Sequence, residues 1–381
     1  MILSIPVALA LLQTAPDLPA TWGEIRNAIS RTYYGREGDG QKRMNALLEK
    51  YDKPVKGAKS VSEFAKLVNT MITEFGDSHF AFLTPSDQGF YMMDGLTAGR
   101  TREAKAMPYI GAWFRPAKGG GYEIQMLLNH TSAADAGLRK GDVIEKVNGQ
   151  PFTPIDSIAN ADGTVELTAR RQSKTLTVKV EVSKTTALGA FLEASKKSAS
   201  VLEIKGKRLA YFHLWTQANA DFRTALEGVI YGKLKETDGF ILDLRDGFGG
   251  RPEGFADPFF RPGVDLEWGG VPTIFGYGKP LVVLINEGSR SAKEVLSYIL
   301  KKSGRATLVG VNTAGAVLGT TPRSVGRWAY LEVPMIEVLV DGKSLEKVGV
   351  APNVSVAKEF DDEGNDLILQ KGIDTLIEKL K

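Results

Sequence analysis

A serine between an apolar strand and an amphipathic helix combines a residue type and a setting that can do nucleophilic chemistry. In Leu284-Ile-Asn-Glu-Gly-Ser-Arg-Ser291-Ala-Lys-Glu294 an apolar run passes through a tight turn into Val-Leu-Ser-Tyr-Ile-Leu, and Ser291 sits at the join. The first N–H groups of a helix have no intrahelical partner and carry the positive end of the dipole, so an oxyanion formed there would meet donors. The same residues admit a plainer reading, because Ser291 and Glu294 have the S-x-x-E spacing of a capping box. A second segment, Gly239-Phe-Ile-Leu-Asp243-Leu-Arg245-Asp-Gly-Phe-Gly249-Gly250, reads as a buried strand that exits into a charged, glycine-rich turn, where a substrate can approach the backbone closely. A serine hydroxyl is a weak nucleophile without an adjacent base. The chain holds three histidines, His79, His130 and His213, so the search for that base is short. His130 reads as a loop residue ahead of a helix and His213 as a satisfied sheet histidine, while Lys293 is two helix positions from Ser291 and points away from it.

These segments resemble the C-terminal processing (tail-specific) serine peptidases and their relative, the tricorn core protease. The matching residues are Asp243-Leu-Arg245, Gly249-Gly250 and Ser289-Arg-Ser291-Ala292-Lys-Glu294. The resemblance implies a nucleophile at Ser291 rather than Ser289, with oxyanion-hole donors at the Ala292 amide and at the Gly249 or Gly250 amide. One departure is instructive. Processing peptidases activate their serine with a lysine in a Thr-x-Gly-Lys segment, and here the corresponding run is Asn312-Thr-Ala-Gly315-Ala316. The tricorn-like branch instead uses a Ser-His pair, which Asp77-Ser78-His79 resembles; by that likeness His79 is the general base and Ser78 assists it. The orienting acid is then Glu346, in Leu345-Glu346-Lys-Val-Gly349-Val-Ala-Pro352-Asn353, with Asp77 as the alternative close to His79 in sequence. The implied function is a serine endopeptidase working by a Ser-His(-Glu) mechanism. Two rivals stay open: a catalytically inactive, PDZ-containing peptide-binding protein of the same family, and acyl-CoA chemistry on a crotonase-type core.

Ser132-Ala-Ala-Asp135-Ala-Gly137-Leu-Arg-Lys-Gly141-Asp142-Val-Ile-Glu-Lys-Val-Asn148-Gly149 resembles the part of a PDZ domain that leads from a short helix into Gly-Asp-x-Ile and a hairpin. The local chemistry agrees, since Gly137 can end a helix and Asn148-Gly149 is a strong hairpin signal. On that likeness Tyr109, Ile110, Gly111, Ala112, Trp113 and Phe114 supply a carboxylate-binding loop and a strand edge for a peptide C-terminus.

The elements that must position these residues follow. The expected class is α/β and multidomain: a ββα-repeat, crotonase/ClpP-like catalytic core with an inserted PDZ-like β-domain and an N-terminal helical cap. The expected divisions are a signal segment at 1–17, the helical cap at 18–99, the PDZ-like domain at 100–184 and the peptidase domain at 185–381. Helical periodicity is clearest in Val61-Ser-Glu-Phe-Ala-Lys-Leu-Val-Asn-Thr-Met-Ile. A net charge of +3 over 381 residues gives no argument for nucleic acid, and the absence of cysteine excludes disulfides and thiol chemistry. No cofactor or metal is called for. The apolar stretch Met1 to Pro16 is too short to span a bilayer and reads as an export signal to the periplasm or beyond, although it lacks a positive n-region; the alternative is a hydrophobic segment packed on the body of a cytoplasmic protein. The expected partners are protein or peptide substrates with free C-termini.

Overall fold

The computed structural model describes residues 15–99, 101–232, 234–260, 264–268 and 271–381. Most of the expected signal segment lies outside the described residues. The architecture is mixed α/β, as expected from the sequence.

A six-stranded sheet carries the functional loops. Its order is Val354–Ser355, Thr307–Gly310, Leu281–Ile285, Gly239–Asp243, Lys207–His213 and Ser200–Ile204, parallel except for the last pair. The two central strands are buried along their whole length, which explains their unbroken apolar runs. Side chains alternate between faces. Ala210, Phe212, Phe240, Leu242, Val283 and Ile285 pack with the helices Ala187–Ser198, Ala220–Tyr231 and Ala292–Lys302. Leu209, Tyr211, Ile241, Val282, Leu284 and Val309 face the last helix, Leu367–Lys379. Asp243 lies opposite Leu284 in register, so the two strands release their C-terminal ends side by side. In open parallel sheets that is where ligands bind.

Three N-terminal helices, Leu18–Thr32, Gly38–Lys56 and Val61–Phe75, form a second core. The third shows why the sequence folds this way. Ser60 caps it by accepting from Glu63 N–H at 3.1 Å, and Phe64, Val68, Met71, Ile72 and Phe75 bury one face. Burial of each such side chain stabilises by roughly 1.5–3 kcal/mol. Gly76 then ends the helix in the left-handed conformation at φ 70°, and the chain emerges directly into Asp77-Ser78-His79. The cap is not only helical. Its strand Ala81–Leu83 pairs with Ala329–Glu332, which pairs with Arg323–Val325, so residues about 250 positions apart share one small sheet.

Residues 106–186 hold a seven-stranded antiparallel sheet around Ile110, Ile124, Ile144, Phe152, Leu167 and Val180. Gly137 follows the short helix Ser132–Asp135 with φ 80°. Asn148 (φ 48°) and Gly149 (φ 77°) make a two-residue turn that joins Val147 to Gln150, the geometry that favours Asn-Gly. Strand Ala112–Pro116 lies at one end of the sheet.

Candidate active site

The strand Leu281–Ile285 feeds a loop that reaches Ser291 and turns into the helix Ala292–Lys302. Ser291 adopts φ 59° and ψ −127°, a conformation that non-glycine residues occupy at a cost and that clusters at functional sites. Two serines share this loop with different fates. Ser289 is buried, accepts from Asn286 N–H at 3.0 Å and donates its hydroxyl to the Leu244 carbonyl at 2.8 Å, so its chemistry is spent on structure. Ser291 is partly exposed, and its backbone N–H donates to Ala316 O at 2.9 Å and to Glu294 Oε2 at 3.0 Å.

Glu294 does more than cap. Its Oε1 accepts from Thr313 Oγ1 at 2.6 Å and from Gly315 N–H at 2.7 Å, and its Oε2 accepts from Ala316 N–H at 2.9 Å. Burial raises its carboxyl pKa, against the pull of these donors. One carboxylate thus fixes the elbow and the 313–316 loop to each other. Ala316, where the Thr-x-Gly-Lys pattern would put lysine, is held by this network through its backbone.

The glycine turn lies against the elbow. A Cβ at Gly249 would fall 2.3 Å from Ser291 Cβ, 2.7 Å from its Oγ and 2.9 Å from the Ala292 nitrogen, so only glycine fits there. Gly249 O accepts from Gln217 N–H at 2.8 Å and from Thr216 Oγ1 at 2.7 Å, while Gly250 sits at φ 136° against the Gln217 carbonyl. The N–H groups of Gly249, Gly250 and Ala292 donate to no acceptor among the described residues. Of these, Gly249 and Ala292 lie against Ser291.

A relay joins the end of the cap to the segment that follows Ala316. Glu346 Oε2 accepts the Ser78 hydroxyl at 2.9 Å, Oε1 accepts Ser78 N–H at 3.1 Å, and Ser78 Oγ lies 2.8 Å from His79 Nδ1. A hydroxyl has one proton, and here it points to Glu346. Ser78 Oγ therefore accepts from Nδ1–H, which leaves the lone pair on Nε2. Burial, followed by the charge of Arg290, pushes the His79 pKa down to about 3, so the ring rests in its neutral form. A single peptide unit connects relay and elbow: Ala316 O accepts from Ser291 N–H, and Val317 N–H donates to Glu346 Oε2 at 2.7 Å. Asp77 is engaged elsewhere, by Tyr33 and Tyr34 hydroxyls at 2.6 and 3.0 Å and by Lys347 at 3.7 Å. Of the two acids considered from sequence, Glu346 is the one in contact with the Ser-His pair.

The other residues read from sequence fall away from this centre. His130 is exposed in the loop before Ser132. His213 is buried, stacks on Trp215 and meets the Arg245 carbonyl at 2.9 Å, and burial lowers its pKa to about 4. In the stretch Tyr109 to Phe114, Tyr109, Ile110, Ala112 and Trp113 are buried, with Trp113 packed against Phe191 and Phe248. The outer edge of that strand is occupied, because Gln88 Nε2 donates to Ala112 O at 2.9 Å and Gln88 Oε1 accepts from Phe114 N–H at 3.0 Å. A cavity of about 560 Å³ lies behind the Arg245-Asp246 strand end, lined also by Leu138, Lys140, His213 and Phe360, and it does not include Ser291. The reach of Glu294, the charge of Arg290 acting on His79 and the Gln88 contact were not expected from the sequence. The S-x-x-E spacing was the one available signal among them.

Comparisons with known proteins find peptidases. The model for peptidase family S41 matches residues 269–356, the segment that holds the elbow and Glu346. Tricorn protease homolog 1 of Streptomyces coelicolor is 24% identical over 410 residues, covering 97% of this chain and 36% of its own length. Carboxyl-terminal-processing peptidase 3, chloroplastic, of Arabidopsis thaliana is 24% identical over 402 residues, covering 93% of this chain and 71% of its own. The chain thus spans about a third of the tricorn homologue. Among solved structures, the photosystem II D1 C-terminal processing protease superposes with a TM-score of 0.55 at 22% identity, over 92% of this chain and 96% of that one. The tricorn protease gives 0.55 at 17% identity, over 94% of this chain and 36% of that one. Both likenesses concern the fold.

Proposed function

We propose, from the match to peptidase family S41 over residues 269–356 and the likeness to processing peptidases, that the chain is a serine endopeptidase that cleaves unfolded or C-terminally recognised polypeptides. In this reading His79 Nε2 takes the proton from Ser291 Oγ as the oxygen attacks the peptide carbonyl. Amides of Ala292 and the Gly249-Gly250 turn hold the tetrahedral oxyanion. His79 then returns the proton to the leaving amine, and water repeats the sequence to release the acyl enzyme. Glu346 works through Ser78, keeping Nδ1 protonated and compensating the imidazolium. The observation that carries the reading is the continuous relay Glu346–Ser78–His79, tied through the Ala316–Val317 peptide to a strained serine whose neighbouring amides are unspent. The inactive-binder alternative gives no reason to keep all these parts together.

We assign residues 18–99 to a cap, 100–184 to a PDZ-like module and 185–381 to the peptidase domain. The strand Ala112–Pro116 is the proposed docking edge for a substrate C-terminus, which must displace the Gln88 amide to add its own backbone. Export to the periplasm or beyond is our reading of the apolar first residues; among the described residues no helix is long and apolar enough to cross a membrane. The test is hydrolysis of an unfolded protein such as reduced, alkylated casein. Wild-type chain should cleave it and Ser291→Ala should not, with stability changed by no more than about 1 kcal/mol. Full activity in Ser291→Ala would remove the proposal.

A further inference from the structure

Lys293 is fully buried on the first turn of the elbow helix, yet no carboxylate is within hydrogen-bond reach of its amine among the described residues. Its Nζ donates to the Asp246 carbonyl at 2.7 Å and approaches the Arg245 carbonyl at 3.5 Å. Burying an amine is costly unless its environment compensates it, and here burial lowers its pKa to about 7 against the opposing fields of Asp243 and Asp246. A core lysine that contributed only packing would be better replaced by leucine or methionine.

The position of the contact explains the expense. Asp246 is three residues from Gly249, and the chain between them is tightly confined: Gly247 has φ 74°, and a Cβ there would lie 1.9 Å from Trp215 O and 3.0 Å from Lys293 Nζ. Lys293 is itself the residue after Ala292. One half of the proposed oxyanion hole is thus adjacent to Lys293 in the chain, and the other half leaves the carbonyl that Lys293 grips. Asn286 and Ser289 lace the same two segments further back, through Asp246 and Leu244.

We propose that Lys293 is a positioning residue that sets the spacing between the two arms of the oxyanion hole. It rests on the peptidase reading and takes no proton from Ser291, since its amine is directed at the backbone of the neighbouring strand end. An oxyanion hole placed by this contact contributes to the transition state and little to ground-state peptide binding.

The test compares Lys293→Met, which keeps length and loses every donor, with Lys293→Gln, which keeps a shorter donor. Casein-derived peptide cleavage gives kcat and KM, and an alkyl fluorophosphonate gives the rate of Ser291 phosphonylation. Lys293→Met should lose 10- to 100-fold in kcat and a similar factor in phosphonylation, with KM within about twofold, and Lys293→Gln should lose at least fivefold. Wild-type kcat in a folded Lys293→Met overturns the inference, as does a loss confined to KM. If Lys293→Met does not fold, wild-type kcat and phosphonylation in Lys293→Gln overturn it instead. A wild-type chain that neither cleaves nor labels overturns the peptidase reading itself, which separates the two failures.

Discussion

The Glu346 carboxylate holds Ser78 at two points, accepting its hydroxyl at 2.9 Å and its backbone N–H at 3.1 Å. The carboxylate therefore reaches the imidazole through an intervening hydroxyl. Ser78→Ala and Glu346→Ala should each lower kcat by about 10- to 100-fold, the usual cost of removing a group that orients another. His79→Ala should lose about 10²- to 10⁴-fold. Because the relay acts as a unit, the Ser78→Ala/Glu346→Ala double variant should be little worse than either single one. Steady-state kinetics of the four variants checks this, and simple additivity would argue against the relay.

The pH dependence follows from the direction of the His79 shift. Burial and the Arg290 charge lower its pKa to about 3, so the neutral base persists well below the ordinary histidine value of about 6.5. The acid limb of kcat/KM should lie below 6.5, and Arg290→Ala, which removes a lowering charge, should move it to higher pH. Stability has the matching sign. The unfolded chain binds protons at His79 and His213 that the folded chain refuses, so stability is fully present above about 6.5 and falls as the pH drops from there toward the folded values of about 3 and 4. Urea titrations across that range should show a shallower fall in His79→Ala.

Glu294 joins the elbow to the 313–316 loop with four accepted hydrogen bonds. Glu294→Ala strands several buried donors and should destabilise the chain by about 3 kcal/mol or more. Thermal melting measures this. A loss below about 1 kcal/mol would show that the loop finds other partners.

Gln88 presents to the edge of Ala112–Pro116 the same donor and acceptor pair that a peptide backbone would. Gln88→Ala should tighten binding of a fluorescent peptide with a free apolar C-terminus by several-fold and leave its amidated counterpart unaffected. Equal change for both peptides would detach this edge from C-terminal recognition.

Much of this arrangement was legible where chemistry is local. The buried strand runs, the Asn148-Gly149 turn and the helix ending at Gly76 follow from residue type and spacing alone. The motif around Ser78 and the one around Glu346 could be quoted separately, although they are 268 residues apart and meet only through the fold. What was hidden depends on long-range pairing. Helical spacing shows that Lys293 points away from Ser291, but its target, the Asp246 carbonyl, is set by which strand lies next to the elbow. The return of residues 323–332 to the cap, and the approach of Gln88 to a strand edge, have no local signature. Asn353 keeps a paired contact with Leu308 at 2.9 and 2.8 Å.

If Ser291 is a nucleophile whose proton His79 removes, treatment with an alkyl fluorophosphonate followed by peptide mass spectrometry should find one adduct on Ser291 in the wild-type chain and none in Ser291→Ala. Labelling should slow by at least about 100-fold in a folded His79→Ala. No adduct at Ser291, an adduct at Ser289 instead, or undiminished labelling in His79→Ala would contradict it.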